Sequence, residues 1–396
     1  MSAPTALRIA WLVWGDEPGG VASAVLNNGR LLTDLGQRVS LLSLTEGPLS
    51  TAARARGWPV RGVQPDGELH ARYLSHRFSP RGLLGRAAIL WRLRAALREV
   101  LAAERPDLLC LPWPDLMPLA GPICRELGIG LVLEMPNTPS PYPFALNQRI
   151  YDAMSRRWRI RVLANSDYSA RHLARVRLLS VVTPAVDAGR FDPTRVNAIP
   201  RTRLGIPEDA LLLAQIARLD PSKGGVLLLE AVAALAAEEP RLHLLLVGGP
   251  LASDYAQALR ARAQALGIAD RLHWVDTVTD PERYWATADL AASTRIDAEP
   301  FGLAIVEAML MRKPVLVHAL GAPAETIDDG ETGWHYQQPD AAALTAALRR
   351  ALAAREQWAT MGAQARETAL RRYASPEQAQ RYLSLLRQQV VEASAP

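Results

Sequence analysis

Twice along this chain short apolar runs alternate with helix-forming stretches, and a segment from Asp187 to Pro207, carrying Pro, Arg and Asp, keeps neither period. That rhythm constrains the fold more than any other feature, because parallel strands can be joined only through crossovers, and helices are the usual crossovers. In the first half, Leu7–Trp14 reads as a buried strand, followed by a glycine-bearing turn from Gly15 to Gly20, a helix Val21–Leu35 ended by Gly36, and a strand Arg38–Leu44. Further strand-like runs stand at Asp107–Leu111, Gly130–Met135, Arg161–Ala164 and Leu179–Thr183. The second half restarts with strand Ala210–Ala217 and helix Gly224–Ala237. Strands Leu242–Val247, Leu272–Val275, Leu290–Ser293 and Pro314–Ala319 follow with helices between them, and helices run from Ala341 to the end. The expected architecture is α/β, with two doubly wound Rossmann-like domains, 1–187 and 208–374, facing across a cleft and joined by a linker at 188–207.

Length agrees, since 396 residues exceed one ordinary core and suit two domains of roughly 180 residues each. Hydrophobic residues at 49% and charged residues at 21% are globular values, and no apolar run reaches the ~18 residues a bilayer span needs. Leu7–Trp14 is a strand's length and lacks the small-residue cleavage site of a signal peptide, so the expected location is cytoplasmic. Cys110 and Cys124 show no metal-ligand spacing and read as buried and reduced. Charge is uneven: residues 1–200 carry 25 arginines against 16 acidic residues, and residues 201–396 carry 20 basic against 24 acidic. A basic first half suits either solvated helix faces or peripheral contact with an anionic membrane or acceptor; nucleic acid is not an expected partner. Lys223 and Lys313 are the only lysines, and a lysine inside a glycine-bearing turn of an arginine-rich chain suggests a need for a compact point charge.

Four short segments carry the candidate chemistry. In Ala298-Glu299-Pro300-Phe301-Gly302-Leu303, a turn precedes an apolar helix that holds Glu307, eight residues after Glu299. Free N–H groups at such a helix start suit a phosphate or a sugar oxygen, and Glu307 is placed to accept hydrogen bonds from a vicinal diol such as ribose. The alternative is a loop acid and a surface pair of Glu307 with Arg312. Arg218-Leu219-Asp220-Pro221-Ser222-Lys223-Gly224 sets two cations between a strand and a helix, where they can hold one diphosphate and neutralise the charge that builds on a leaving nucleotide. Gly19-Gly20 before a helix offers close backbone approach without the dinucleotide-binding spacing. Gly321-Ala322-Pro323-Ala324-Glu325 follows the strand that ends near His318, itself readable as a satisfied core histidine. No Asp-x-Asp, His-Glu-x-x-His, Cys-x-x-Cys or Gly-x-Ser-x-Gly motif occurs, so neither a metal site nor a serine nucleophile is indicated.

In combination and order, these segments resemble the family 4 glycosyltransferases, retaining enzymes of GT-B fold that use nucleotide-activated sugars. The resemblance rests on Glu299-x7-Glu307, on Arg218 to Gly224, on Gly19-Gly20, on Ala185-Val186-Asp187, on Val247-Gly248-Gly249-Pro250 and on Gly321-Ala322-x-x-Glu325. It implies that Arg218 and Lys223 hold the diphosphate, that Glu307 holds the ribose, and that Glu299 with the backbone of Phe301, Gly302 and Leu303 holds the donor sugar. It implies base contacts near Thr277 and Val278, approach of the Gly20 loop to phosphate or acceptor, and a terminal helix, 375–396, returning to the first domain. It also implies that no metal or other cofactor takes part, the nucleotide sugar being the donor substrate and a sugar, a lipid-linked or a small molecule the acceptor. Retention is generally ascribed to front-side attack, with a leaving-group phosphate oxygen taking the acceptor's proton.

One departure stands out: where many members carry a histidine near the donor sugar, this chain reads Leu133-Glu134-Met135-Pro136-Asn137-Thr138. Asn137 or Glu134 could substitute there as a polar contact, and Trp113 and Tyr142 fall in loops expected on the acceptor side, where aromatic stacking on a sugar is reasonable, as is plain packing. The competing readings are a catalytically silent nucleotide-sugar binding protein, a GT-B epimerase or phosphorylase-like enzyme, and a dinucleotide oxidoreductase, the last disfavoured by the missing glycine fingerprint.

Overall fold

Seven strands of the first half pair side by side, the inner ones because they are too apolar for an exposed face, and each is joined to the next by a crossover. In the computed structural model, which describes residues 6–17, 19–63, 80–138 and 146–394, these are β1 (Arg8–Val13), β2 (Arg38–Ser43), β3 (Val60–Gly62), β4 (Leu108–Leu111), β5 (Gly130–Met135), β6 (Ile160–Ala164) and β7 (Leu179–Val181). They form one parallel sheet in the order β3-β2-β1-β4-β5-β6-β7. Helices Gly19–Asp34, Pro48–Ala55 and Pro376–Ser394 cover one face, where Val25, Leu32, Leu49, Tyr382 and Leu386 pack with Trp11 and Val132. Helices Pro80–Glu104, Met117–Leu127 and Leu146–Trp158 cover the other through Leu93, Leu97, Met117, Ile123 and Met154.

The second sheet holds β8 (Leu211–Ile216), β9 (Leu242–Val247), β10 (Leu272–Val275), β11 (Leu290–Ser293), β12 (Val315–His318) and β13 (Gly333–Tyr336), all parallel, in the order β10-β9-β8-β11-β12-β13. Helices again cover both faces. Two Rossmann-like domains follow, the fold class expected from the alternation. The edge strands β3 and β13 are absent from the sequence reading, because three or four residues at a sheet edge carry too little apolar pattern to stand out.

The chain divides into one compact unit of Met1–Ala185 with Pro376–Pro396, and a second of Val186–Ser375. The last helix belongs to the first unit because its apolar stripe, Tyr382, Leu383 and Leu386, completes that sheet's core. Its far end is tied by Arg161 Nη2 to Glu392 Oε1 at 2.5 Å and by Gln389 Nε2 to the Arg159 carbonyl at 2.5 Å.

Lys313 proves structural. Its ammonium donates to the carbonyls of Ala288 (2.6 Å) and Ala286 (3.4 Å), satisfying acceptors left open where helix Pro281–Thr287 ends. Arg201 adds a bond to the Thr287 carbonyl at 3.2 Å. A flexible, compact ammonium fits that buried spot, and burial holds its pKa below the usual lysine value.

Candidate functional site

In the second sheet the strand order reverses between β8 and β11, which lie side by side, so the loops leaving their carboxyl ends are neighbours. Arg218–Gly224 leaves β8 and Thr294–Gly302 leaves β11. Glycine is required where they touch: Gly224 has φ +67°, and a Cβ there would stand 2.0 Å from the Thr294 carbonyl oxygen. Thr294 Oγ1 donates to the Lys223 carbonyl at 2.9 Å, Gln215 Nε2 donates to the same carbonyl at 2.9 Å, and Ile296 N–H donates to the Ser222 carbonyl at 2.9 Å. The latch brings Lys223 Nζ to 3.2 Å from Glu299 Oε2, with side-chain exposures of 21% and 13%. Two residues expected at one donor site, 76 positions apart in the chain, are thus an ion pair.

Glu299 has a second cation. Arg295 Nη1 lies 3.3 Å from Glu299 Oε1, while the same guanidinium grips Asp297 through Nε and through Nη2 at 3.2 Å, keeping the Asp297 carboxyl below its usual range. The Glu299 backbone is fixed to the loop after β12, donating to Leu320 O (3.2 Å) and accepting from Ala322 N–H (2.9 Å). His318 is the satisfied core histidine: it is 3% exposed, its Nδ1–H donates to the Arg295 carbonyl at 2.8 Å, and its ring stacks on Tyr336. Arg218 is the exposed member of the group, 3.4 Å from Asp220, whose carboxylate caps the Ser222 N–H at 3.0 Å.

The helix predicted near Phe301 runs from Leu303 to Leu310, with Gly302 at φ +89° as the residue before its first turn. The Phe301 side chain is buried edge-on against Tyr373, ring centroids 5.5 Å apart, so what it offers a ligand is backbone. Leu303 also packs against that core, while as the first helical residue its N–H has no intrahelical partner. Glu307 is half-buried and faces Arg190, Trp285 and Glu282. Burial pushes its carboxyl up to about 7, against the pull of the Arg190 charge and the Trp285 indole. Arg190 is itself held: its Nε donates to Glu282 Oε2 at 2.8 Å, its Nη2 to the Thr279 carbonyl, and it lies 5.4 Å over the Phe191 ring.

Between β10 and helix Pro281–Thr287, Thr277 is exposed and its N–H is taken by Asp276 Oδ1 at 2.6 Å, which holds that carboxyl below its usual value. Val278 is half-buried against the core. The reading of the sequence missed Arg190, Glu282 and Arg295. None lies in a recognisable spacing, and the only local signal was that Arg190 follows Asp187, whose Oδ1 accepts its N–H at 2.8 Å.

In the first unit Gly19 and Gly20 are exposed in the first turn of helix Gly19–Asp34. The turn before them is pinned by Glu17, whose carboxylate accepts from Trp14 N–H (2.6 Å) and Gly15 N–H (2.8 Å) and which is 4% exposed. Trp113 follows β4, the neighbour of β1, so its loop and the glycine loop both stand where this sheet's order reverses. Its ring packs half-buried on the core, and its Nε1 has no partner among the described residues. Asn137 is exposed, and Tyr142 lies outside the described residues. Glu134 does not reach into a site: Trp11 Nε1 (3.1 Å) and the Tyr382 hydroxyl both donate to it, making it a structural anchor for the final helix.

With that geometry in hand, the comparisons with known proteins fall into one pattern. The family model Glycosyltransferase Family 4 matches residues 18–190, and Glycosyl transferases group 1 matches residues 198–368. A D-inositol 3-phosphate glycosyltransferase of Geodermatophilus obscurus is 36% identical over 209 residues, 50% of this chain and 46% of that protein. Its namesake from Streptomyces avermitilis is 34% identical over 221 residues, 54% of this chain and 48% of that protein. The chain thus matches about half the length of these relatives. Anabaena HepE, crystallised with UDP and glucose, superposes with TM-score 0.79 at 23% identity, covering 96% of this chain and 99% of that one. WaaG, a glycosyltransferase involved in lipopolysaccharide biosynthesis, superposes with TM-score 0.68 at 19% identity, covering 94% and 98%. Two family models that together take in both Rossmann-like domains, and structural neighbours aligned over nearly the whole chain, agree: the chain belongs to the family 4 glycosyltransferases and has their GT-B fold.

Proposed function

We propose that the chain is a retaining glycosyltransferase that moves a hexose from a nucleoside diphosphate sugar to a hydroxyl of a sugar, lipid-linked or small-molecule acceptor, without a metal. The observation that carries this reading is the convergence of Lys223, Arg218 and Glu299 at the strand-order reversal of the second sheet, with Glu307 on the helix that follows. Arg218 and Lys223 take the diphosphate and Glu299 the sugar hydroxyls. Glu307 takes the ribose diol, and the backbone of Phe301 to Leu303 takes sugar oxygens. The acceptor oxygen bonds to the anomeric carbon as that carbon's bond to the phosphate oxygen breaks on the same face. The acceptor's proton passes to the leaving phosphate, whose charge the two cations stabilise. Support for the donor class comes from the Anabaena neighbour crystallised with UDP-glucose, and for a polyol or phosphorylated polyol acceptor from the relatives that act on D-inositol 3-phosphate.

A thermal-shift screen of UDP-, GDP- and ADP-sugars, followed by turnover on a panel of polyol acceptors, tests the reading. A stabilising nucleotide sugar with turnover supports it. Tight binding without turnover on any acceptor favours the silent binding protein, and no binding at all sinks both.

A second partner class is favoured by one surface. Among the described residues, Leu84, Trp91, Leu146 and Ile150 are large, exposed apolar side chains on helices Pro80–Glu104 and Leu146–Trp158, beside Arg92, Arg94, Arg149 and Arg157. Both helices lie on the same face of the first sheet. Exposed tryptophan among arginines suits the surface of an anionic bilayer. No helix among the described residues is long and apolar enough to cross a membrane. Sedimentation with phosphatidylglycerol vesicles that weakens as salt rises is the expected result, and no binding at low salt removes the idea.

A further inference from the structure

Glu299 bonds two cations, and only one of them belongs to the diphosphate site described above. Lys223 stands on a flexible four-carbon stem and ends in a point charge that can serve two anions in turn. Arg295 has no such freedom. Its guanidinium is braced by Asp297, its carbonyl is bonded by His318, and the next residue's N–H is bonded to Ser222.

We propose that Arg295 is a positioning residue: it keeps Glu299 paired and aimed at the donor sugar while Lys223 leaves Glu299 for the incoming diphosphate. The inference rests on the donor-site reading above. A carboxylate only 13% exposed is not left without a cation at low cost. If Lys223 were its sole partner, Glu299 would either hold Lys223 back from the diphosphate or be stranded when Lys223 moved. With Arg295 fixed on the other oxygen, 3.3 Å away, the exchange leaves Glu299 paired throughout. Arg295 acts through Glu299 and touches neither substrate.

Binding of UDP, GDP and ADP, measured by calorimetry alongside turnover of the matching sugar nucleotide, tests this on the full chain. Arg295→Met should lose about tenfold in affinity for whichever nucleoside diphosphate the unaltered chain binds, the equivalent of about one charge-assisted hydrogen bond, because Glu299 then retains Lys223. The double variant Arg295→Met with Glu299→Gln should regain that nucleotide affinity while staying slow in transfer, a non-additivity that a merely structural arginine would not produce. Arg295→Lys, which keeps the charge and loses the braced fork, should bind nucleotide within about threefold of normal and lower kcat by about tenfold; it carries the test if the methionine variant does not fold. Unchanged nucleotide affinity and kcat in Arg295→Met, or no recovery in the double variant, overturns the inference and leaves the donor reading standing, since Lys223→Ala tests that reading separately. Arg295→Lys with both parameters unchanged also overturns it. A chain that binds none of the three nucleotides overturns the donor reading and this inference with it.

Discussion

Glu134 in the first unit and the pair Glu299 and Glu307 in the second are all half-buried carboxylates at the carboxyl side of a parallel sheet, yet they are satisfied in opposite ways. Glu134 receives the Trp11 indole, the Tyr382 hydroxyl and the Asn28 side chain, all neutral donors on fixed elements. Those donors have nowhere else to go, and burial raises the Tyr382 hydroxyl well above its ordinary value, so the cluster is closed. Glu299 is held by cations, one of them on a flexible stem. Glu307 faces the Trp285 indole and an arginine, Arg190, that is itself bonded to Glu282 and the Thr279 carbonyl. A carboxylate closed by neutral, rigid donors is architecture; one held by exchangeable charge is available to a ligand.

Breaking the closed cluster should have the largest effect on folding. Glu134→Leu leaves three donors, the Trp11 indole, the Tyr382 hydroxyl and the Asn28 side chain, without their acceptor and loosens the last helix, so denaturant unfolding should show a loss of about 3 kcal/mol, with nucleotide affinity unmoved in the folded fraction. Lys223→Ala sharpens the contrast from the other side: kcat should fall about 100-fold, read by steady-state kinetics, while the unfolding midpoint stays within about 2 °C of the parent. Equal losses of stability in the two variants would erase the distinction.

Glu307 supplies a pH-dependent test. Its carboxyl is pushed up to about 7 by burial, whereas in the unfolded chain it titrates near 4.5. Between those values the folded chain binds the extra proton, so this residue's contribution to stability falls as pH rises through that window and levels off above it. A diol prefers the ionised acceptor, so nucleotide affinity should rise by about tenfold from pH 6 to pH 8 and become flat in Glu307→Gln, as calorimetry at several pH values would reveal. The smallest effect is expected at Trp113→Phe, which removes a buried N–H with no hydrogen-bond partner among the described residues; stability should change by less than about 1 kcal/mol. A large loss of acceptor turnover there would instead assign the ring to substrate stacking.

Much of this was legible in the chain. The strands read from Leu7–Trp14, Gly130–Met135 and Leu242–Val247 appear as β1, β5 and β9, because strands buried on both faces must be almost continuously apolar. The helix start at Gly302 was visible from the Pro-Phe-Gly turn. Arg190, Glu282 and Arg295 were not visible, because a lone arginine or glutamate carries no period and gains its meaning only from what packs beside it. The surface pairing of Glu307 with Arg312, open from spacing alone, gives way to Arg190, which precedes it by more than a hundred residues.

The sequence by itself determined the two parallel sheets, the helix that carries Glu307 and the loops that carry Lys223 and Glu299, since all of these follow from local period and turn chemistry. Only the tertiary structure decided which charges meet: that Glu299 is shared by Lys223 and Arg295, that Glu307 sits in surroundings that hold its proton to near neutrality, and that Glu134 is closed off by the last helix. The physical reason is range. Secondary structure is set by neighbours a few residues away, whereas desolvation and ion pairing depend on segments that only the strand order of each sheet brings together.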